Sequence, residues 1–163
     1  MTTTSGQRSH SVAPRDDLSV ADAMHRGVVT CNPDATLSTV ARLLAAHRIH
    51  AVVVTPIRDA EDWRIVSDLD VAAAFGDGSL LHTTAGATAT APTPLVGPDE
   101  TLRRAAQLMR DYETHHLIVV RRGTSRPAGV LSALDIADVV ADIPERPPAR
   151  AYGRNENVRE EKR

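Results

Sequence analysis

The sequence predicts an α/β (α+β-like) fold made of two copies of one unit, each a short sheet packed on two helices. Three observations support it. With 163 residues, 42% of them apolar and 25% charged, the chain is long enough for one ordinary core and too short for two large domains. A shift of 65 residues aligns its two halves without a gap. Within each half, one run of helical period is followed by short β-branched runs.

The repeat rests on identical pairs. Pro33, Asp34, Thr36, Leu37, Ala41 and Leu43 fall on Pro98, Asp99, Thr101, Leu102, Ala106 and Leu108. His50 and Val54 meet His115 and Val119, and Ser67, Leu69, Asp70 and Ala72 meet Ser132, Leu134, Asp135 and Ala137. The first repeat is assigned to residues 18–83 and the second to residues 84–143. Residues 1–17 are polar and residues 144–163 are proline-rich and charged, so a disordered N-terminal tail and a flexible charged C-terminal tail are expected.

The elements follow in the same order in each half. Ser19-Val-Ala-Asp22 has the form of a capping box before a short helix ending near Gly27, and Val28 to Thr30 reads as a leading strand with Pro94 to Val96 as its counterpart. Leu37, Val40, Ala41 and Leu44, and again Leu102, Ala105, Ala106 and Met109, have the spacing of an amphipathic helix, with Thr36 and Thr101 as N-caps. The runs 51–55 and 117–120 are then paired with Ile65-Val66 and Val130-Leu131 as hairpins. Ser67-Asp-Leu-Asp70 and Ser132-Ala-Leu-Asp135 each open a second helix.

Composition excludes several classes of function. A formal charge of −2 lacks the basic footprint of a nucleic-acid partner or an anionic membrane surface. The longest apolar stretch is broken by Arg42, His47, Arg48 and His50, so no spanning helix is expected. The N-terminus has no apolar signal core, and Cys31 is the single cysteine. A cytoplasmic location is expected. Adjacent His115 and His116 point to opposite faces of an extended segment and no acidic spacing completes a metal site. No Ser/His/Asp order, glycine-rich phosphate loop or HExxH pattern is present, so the chain is expected not to be an enzyme.

The order of helix, strand, strand and helix, duplicated and closed each time by hydrophobic-hydrophobic-Ser-x-x-Asp, resembles the CBS (cystathionine-beta-synthase) domain family, as does the opening segment VADAMHRGVVTCNPDATL. The resemblance covers residues 18–143. It implies two repeats packed around a pseudo-twofold axis, with clefts between them that hold AMP, ADP, ATP or S-adenosylmethionine, and a homodimer formed through helices. The family pattern is Gly-hydrophobic-hydrophobic-Ser/Thr-x-x-Asp, with the carboxylate on the ribose hydroxyls. Gly129, Val130, Leu131, Ser132 and Asp135 match it in full. In the first repeat Ser67 and Asp70 match, but Arg64 replaces the glycine behind Trp63 and Asp68 adds a second carboxylate, which disfavours a phosphate. The cleft of Ser132 and Asp135 is therefore preferred.

An adenosine ligand needs an acceptor for vicinal hydroxyls and an apolar slot for the base. Asp135 at a helix start provides the first. The resemblance suggests His115, His116 and Leu117, with Leu95 and Val96, as flanking positions. Arg121, Arg122 and Arg126 are candidates for a polyphosphate, although turn arginines are usually only solvated. Ser-x-x-Asp is also a plain capping box, and the two roles are compatible. The leading reading is a sensor whose ligand alters an unidentified regulated protein; the alternative is a ligand-independent scaffold module with degenerate clefts.

Overall fold

The computed structural model describes residues 18–56, 62–89 and 91–141. The two expected tails lie outside the described residues. The first half contains α1 (Val20–Ala23), β1 (His25–Arg26), β2 (Thr30–Cys31), α2 (Leu37–His47), β3 (Ala51–Val54), β4 (Arg64–Ser67) and α3 (Asp68–Gly76). The second contains α4 (Ala85–Thr88), β5 (Leu95–Val96), α5 (Leu102–Asp111), β6 (His116–Val120), β7 (Pro127–Ser132) and α6 (Ala133–Ala141).

Local chemistry sets the helix starts. Thr36 accepts a hydrogen bond from the Thr39 amide at 3.3 Å, and Thr101 accepts one from the Arg104 amide at 3.1 Å, so each caps its helix. Leu37, Val40 and Leu44, like Leu102, Ala105 and Met109, form the buried stripe. Ser19 and Asp22 make the capping box of α1, and the two hydrogen bonds from Ser19 hold the Asp22 carboxyl below its ordinary range. That helix ends at Ala23 rather than near Gly27. Pairing with β7 draws His25 and Arg26 into an extended strand, and Gly27, at φ 82°, turns the chain toward β2. The leading strand is thus Thr30–Cys31, later than Val28–Thr30.

Among the described residues there are two sheets. One has the order β2-β3-β4, the other β1-β7-β6-β5; β2 and β5 run parallel to their neighbours, while β3-β4 and β6-β7 are antiparallel. Each sheet has its own apolar cluster, one around Leu37, Val40, Val52 and Val66, the other around Leu102, Leu117, Val119 and Leu131.

The leading helices are exchanged between these clusters. Val20 of α1 belongs to the second cluster, with its amide donating to Glu100 O at 2.8 Å, and Leu102 N donates to Leu18 O at 2.9 Å. Ala85 of α4 belongs to the first cluster, with Leu37 N on Thr83 O at 2.9 Å and Ala85 N on Ala35 O at 2.8 Å. Each core therefore needs backbone from both sequence repeats, which ties the halves into one structure.

One residue accounts for the unequal sheets. Gly129 lies opposite Arg26, and a Cβ there would run into the His25 carbonyl and come within 2.9 Å of Met24 Cε. Glycine lets β1 close on β7. At the equivalent position Arg64 instead sends Nη1 to the Ala89 carbonyl at 3.0 Å and Nη2 to Asp62 at 2.6 Å. Among the described residues a single backbone bond, Thr93 N to Trp63 O at 2.9 Å, accompanies it, and β4 stays an edge. Trp63 reaches across to the other hairpin, donating from Nε1 to Ser125 O at 2.7 Å.

Candidate functional site

A cleft of about 590 Å³ opens between the two halves. Its size suits a small organic ligand. The first half contributes the turn His25 to Val29 and the segment His47 to Ala51, which spans the end of α2 and the start of β3. The second contributes His116 from β6, Val130 and Ser132 from β7, and Leu134, Asp135 and Asp138 from α6. Val28, Val29, Ile49, Ala51 and Val130 give it an apolar wall.

Asp135 is 8% exposed, the one buried charged residue among the described residues. Its Oδ2 accepts from Ser132 N at 2.6 Å and Ser132 Oγ at 2.7 Å, and its own amide donates to Ser132 Oγ at 3.1 Å. This is the capping geometry, and it accounts for one carboxylate oxygen. The other, Oδ1, lies 3.0 Å from His25 Nδ1, whose side chain is 75% exposed. A partner so exposed can be exchanged for a ligand hydroxyl without unpacking anything. The buried carboxylate thus keeps one fixed oxygen and one exchangeable one.

His116 lies between the two Ser-x-x-Asp motifs. Burial pushes its imidazole below the ordinary range, with the Asp68 carboxylate opposing the shift, and the ring lines the cleft. Asp68 is itself held low, chiefly by its hydrogen bond from His50 at 2.7 Å. Cys31 is buried, which raises its thiol pKa and leaves it unreactive.

Of the residues singled out from sequence, Val130, Ser132, Asp135 and His116 meet in this cleft. Gly129 is buried beneath β1 and Leu131 is a core residue. Leu117 and Val96 lie outside the lining because they face the second core, and Leu95 sits on the strand farthest from β1. His115 is exposed and outside the lining; its carbonyl takes the Ala133 amide at 2.9 Å. Ser67 and Asp70 form the matching box in the first half, at 2.7 Å for Ser67 Oγ to Asp70 Oδ2. The wall residues Val28, Val29, Ile49 and Ala51 escaped sequence reasoning. The repeat itself held the signal: a 65-residue shift takes His115 and His116 to His50 and Ala51, and both line the cleft. The wall facing one motif comes from the other repeat.

Among the described residues no helix is long and apolar enough to cross a membrane, and no three His, Cys, Asp or Glu side chains are placed to hold a metal ion.

Fold and cleft define a class: tandem α/β repeats that share cores and enclose a pocket at their junction. The CBS domain profile matches residues 20–76 and 87–142, so the chain belongs to the CBS domain family. Among curated proteins none matches significantly by sequence. Solved structures do. The CBS domain pair of protein MJ0100, in complex with 5′-methylthioadenosine and S-adenosyl-L-methionine, is 19% identical with a TM-score of 0.65, covering 76% of this chain and 95% of that one. CBS domain protein PAE2072 from Pyrobaculum aerophilum, complexed with AMP, is 25% identical with a TM-score of 0.64, covering 76% and 97%. A hexameric CBS-CP12 protein from bloom-forming cyanobacteria is 23% identical with a TM-score of 0.67, covering 79% and 76%.

Proposed function

We propose that the chain is a non-catalytic regulatory module that holds an adenosine-containing ligand, one of AMP, ADP, ATP or S-adenosylmethionine, in the Asp135 cleft. The observation that carries this reading is a buried carboxylate from one repeat facing an apolar wall from the other. In this reading the ribose hydroxyls replace His25 at Asp135 Oδ1, and the base lies against Val28, Val29 and Ile49. Bound ligand then bridges the repeats, so any difference in affinity between two packings shifts their populations. A regulated partner protein reads that shift. The complexes of relatives with AMP and with S-adenosyl-L-methionine support the ligand class.

A thermal-shift series with the four compounds tests it, repeated on Asp135→Asn. Ligand at 100 times its Kd stabilises by about 2.7 kcal/mol, which is several degrees for a chain of this size. The asparagine variant retains an oxygen for the cap, and is expected to lose the shift while remaining folded. Absence of any shift in the unmodified chain favours the scaffold reading.

The assembly belongs to the same proposal. Leu69 and Leu134, and Phe75 and Val140, are repeat-equivalent exposed residues on α3 and α6. A second copy with twofold symmetry would meet the same apolar pairs on both sides. Light scattering is expected to give a homodimer that Phe75→Glu with Val140→Glu dissociates; a monomer or a hexamer for the unmodified chain overturns this.

A further inference from the structure

The proposed cleft has a charge pattern that its twofold counterpart lacks. Arg26 and Arg48 are both exposed and line the cleft, with His47 beside them. Neither arginine is held in an ion pair with any described residue. The other charged groups are largely matched: His25 contacts Asp135 at 3.0 Å, and His50 contacts Asp68 at 2.7 Å. Asp138 is the remaining acidic group in the lining.

The 65-residue shift takes Arg26, His47 and Arg48 to Ala91, Tyr112 and Glu113. The comparison is structural as well as sequential for the last pair, because Arg48 and Glu113 follow α2 and α5 in the same left-handed conformation, φ 53° and 51°. Asp68 adds a carboxylate at the start of α3 where α6 has Ala133. One junction therefore presents two guanidinium groups, and the corresponding places of the other hold Ala91 and Glu113, one methyl group and one carboxylate.

We infer that the Asp135 cleft selects a 5′-phosphorylated adenosine over an uncharged adenosine thioether, through Arg26 and Arg48, and that the chain binds one such anion. This rests on the adenosine reading above and adds the ligand's charge and the stoichiometry to it. Arginine presents a planar fork that matches phosphate oxygens in pairs, whereas it offers nothing to a thioether. At the related junction Glu113 stands in the place of Arg48, and a carboxylate repels the same anion.

The test is calorimetric titration of the full chain with AMP and with 5′-methylthioadenosine, on the unmodified protein and on Arg26→Ala/Arg48→Ala. AMP is expected to bind at one per chain and at least about tenfold tighter than methylthioadenosine, as charge-assisted pairing requires. The double variant brings the two affinities to within about threefold, and its unfolding midpoint verifies that it is folded. Equal affinities in the unmodified chain, two AMP per chain, or a preference that survives the double substitution overturns phosphate selection while leaving the adenosine reading intact. If neither compound binds, both readings fall.

Discussion

His25 Nδ1 lies 3.0 Å from Asp135 Oδ1, so the carboxylate oxygen best placed to receive a ribose hydroxyl is occupied by a side chain of the same protein. The histidine comes from β1, which is held to β7 by the register His25 opposite Val130. On the proposed reading a ligand displaces the imidazole, and the free energy of that contact is subtracted from binding. Because the His25 side chain is largely exposed, the contact is weak. His25→Ala is therefore expected to tighten adenosine-ligand binding a few-fold, with little change in the unfolding midpoint of the ligand-free chain. Weaker binding in calorimetry would mean that the imidazole contacts the ligand instead of competing with it.

Gly129 tests whether β1 holds the cleft together. A methyl group at 129 collides with the His25 carbonyl, a backbone atom that cannot rotate away. Overpacking of this kind costs about 1–3 kcal/mol, and a backbone clash belongs at the upper end. Gly129→Ala is expected to lower stability in urea unfolding by about that amount and to weaken ligand binding as well, since His25 and Arg26 move with the strand. Full binding by a destabilised variant would show that β1 supports only the fold.

The parts legible in the sequence are those set by short-range chemistry. Thr36 and Thr101 cap the helices that follow, and Ser67 with Asp70 and Ser132 with Asp135 close their boxes three residues apart, so local pattern was sufficient. The apolar stripes on α2 and α5 likewise need only helical period. What pattern could not supply was which distant segments meet. Val20 buries itself in the second core and Ala85 in the first, and the wall facing Asp135 is Val28, Val29 and Ile49 from the opposite repeat. Leu95 and Leu117, the flanking positions that the resemblance suggests from within the motif's own repeat, are not part of that wall. Exchange between the repeats is a long-range choice, driven by core burial and strand pairing that no local window contains.

Thr101 separates helix stability from ligand chemistry. Its side chain caps α5 at 3.1 Å, and it lies outside the cleft lining. Thr101→Ala should cost about 1 kcal/mol, the usual value of an N-cap. The expected record in chemical denaturation is a lower midpoint at unchanged slope, with nucleotide affinity unaltered once measured well below that midpoint. A change in the slope would instead indicate that the isolated backbone bridge between Thr101 and Ser19 had opened and loosened α1.

His116 predicts how the module responds to acid. Its ordinary value is 6.5, and in the folded chain burial pushes it lower, against the opposing field of Asp68; His115 and His50 add to the lowering, and Asp135 opposes it. The unfolded chain therefore binds a proton at higher pH than the folded chain does. Between the unfolded value and the lower folded one, stability must fall as the pH falls, and the contribution is fully present above about 6.5. Asp22, Asp62 and Asp68, all held below 3.8, act in the same direction but only in a more acidic window. A plot of unfolding midpoint against pH is thus expected to decline in two separate stages, the first beginning near pH 6.5. His116→Gln, which retains a polar side chain but cannot titrate, should remove the first stage and leave the second. Persistence of the first stage in that variant would assign it to another histidine.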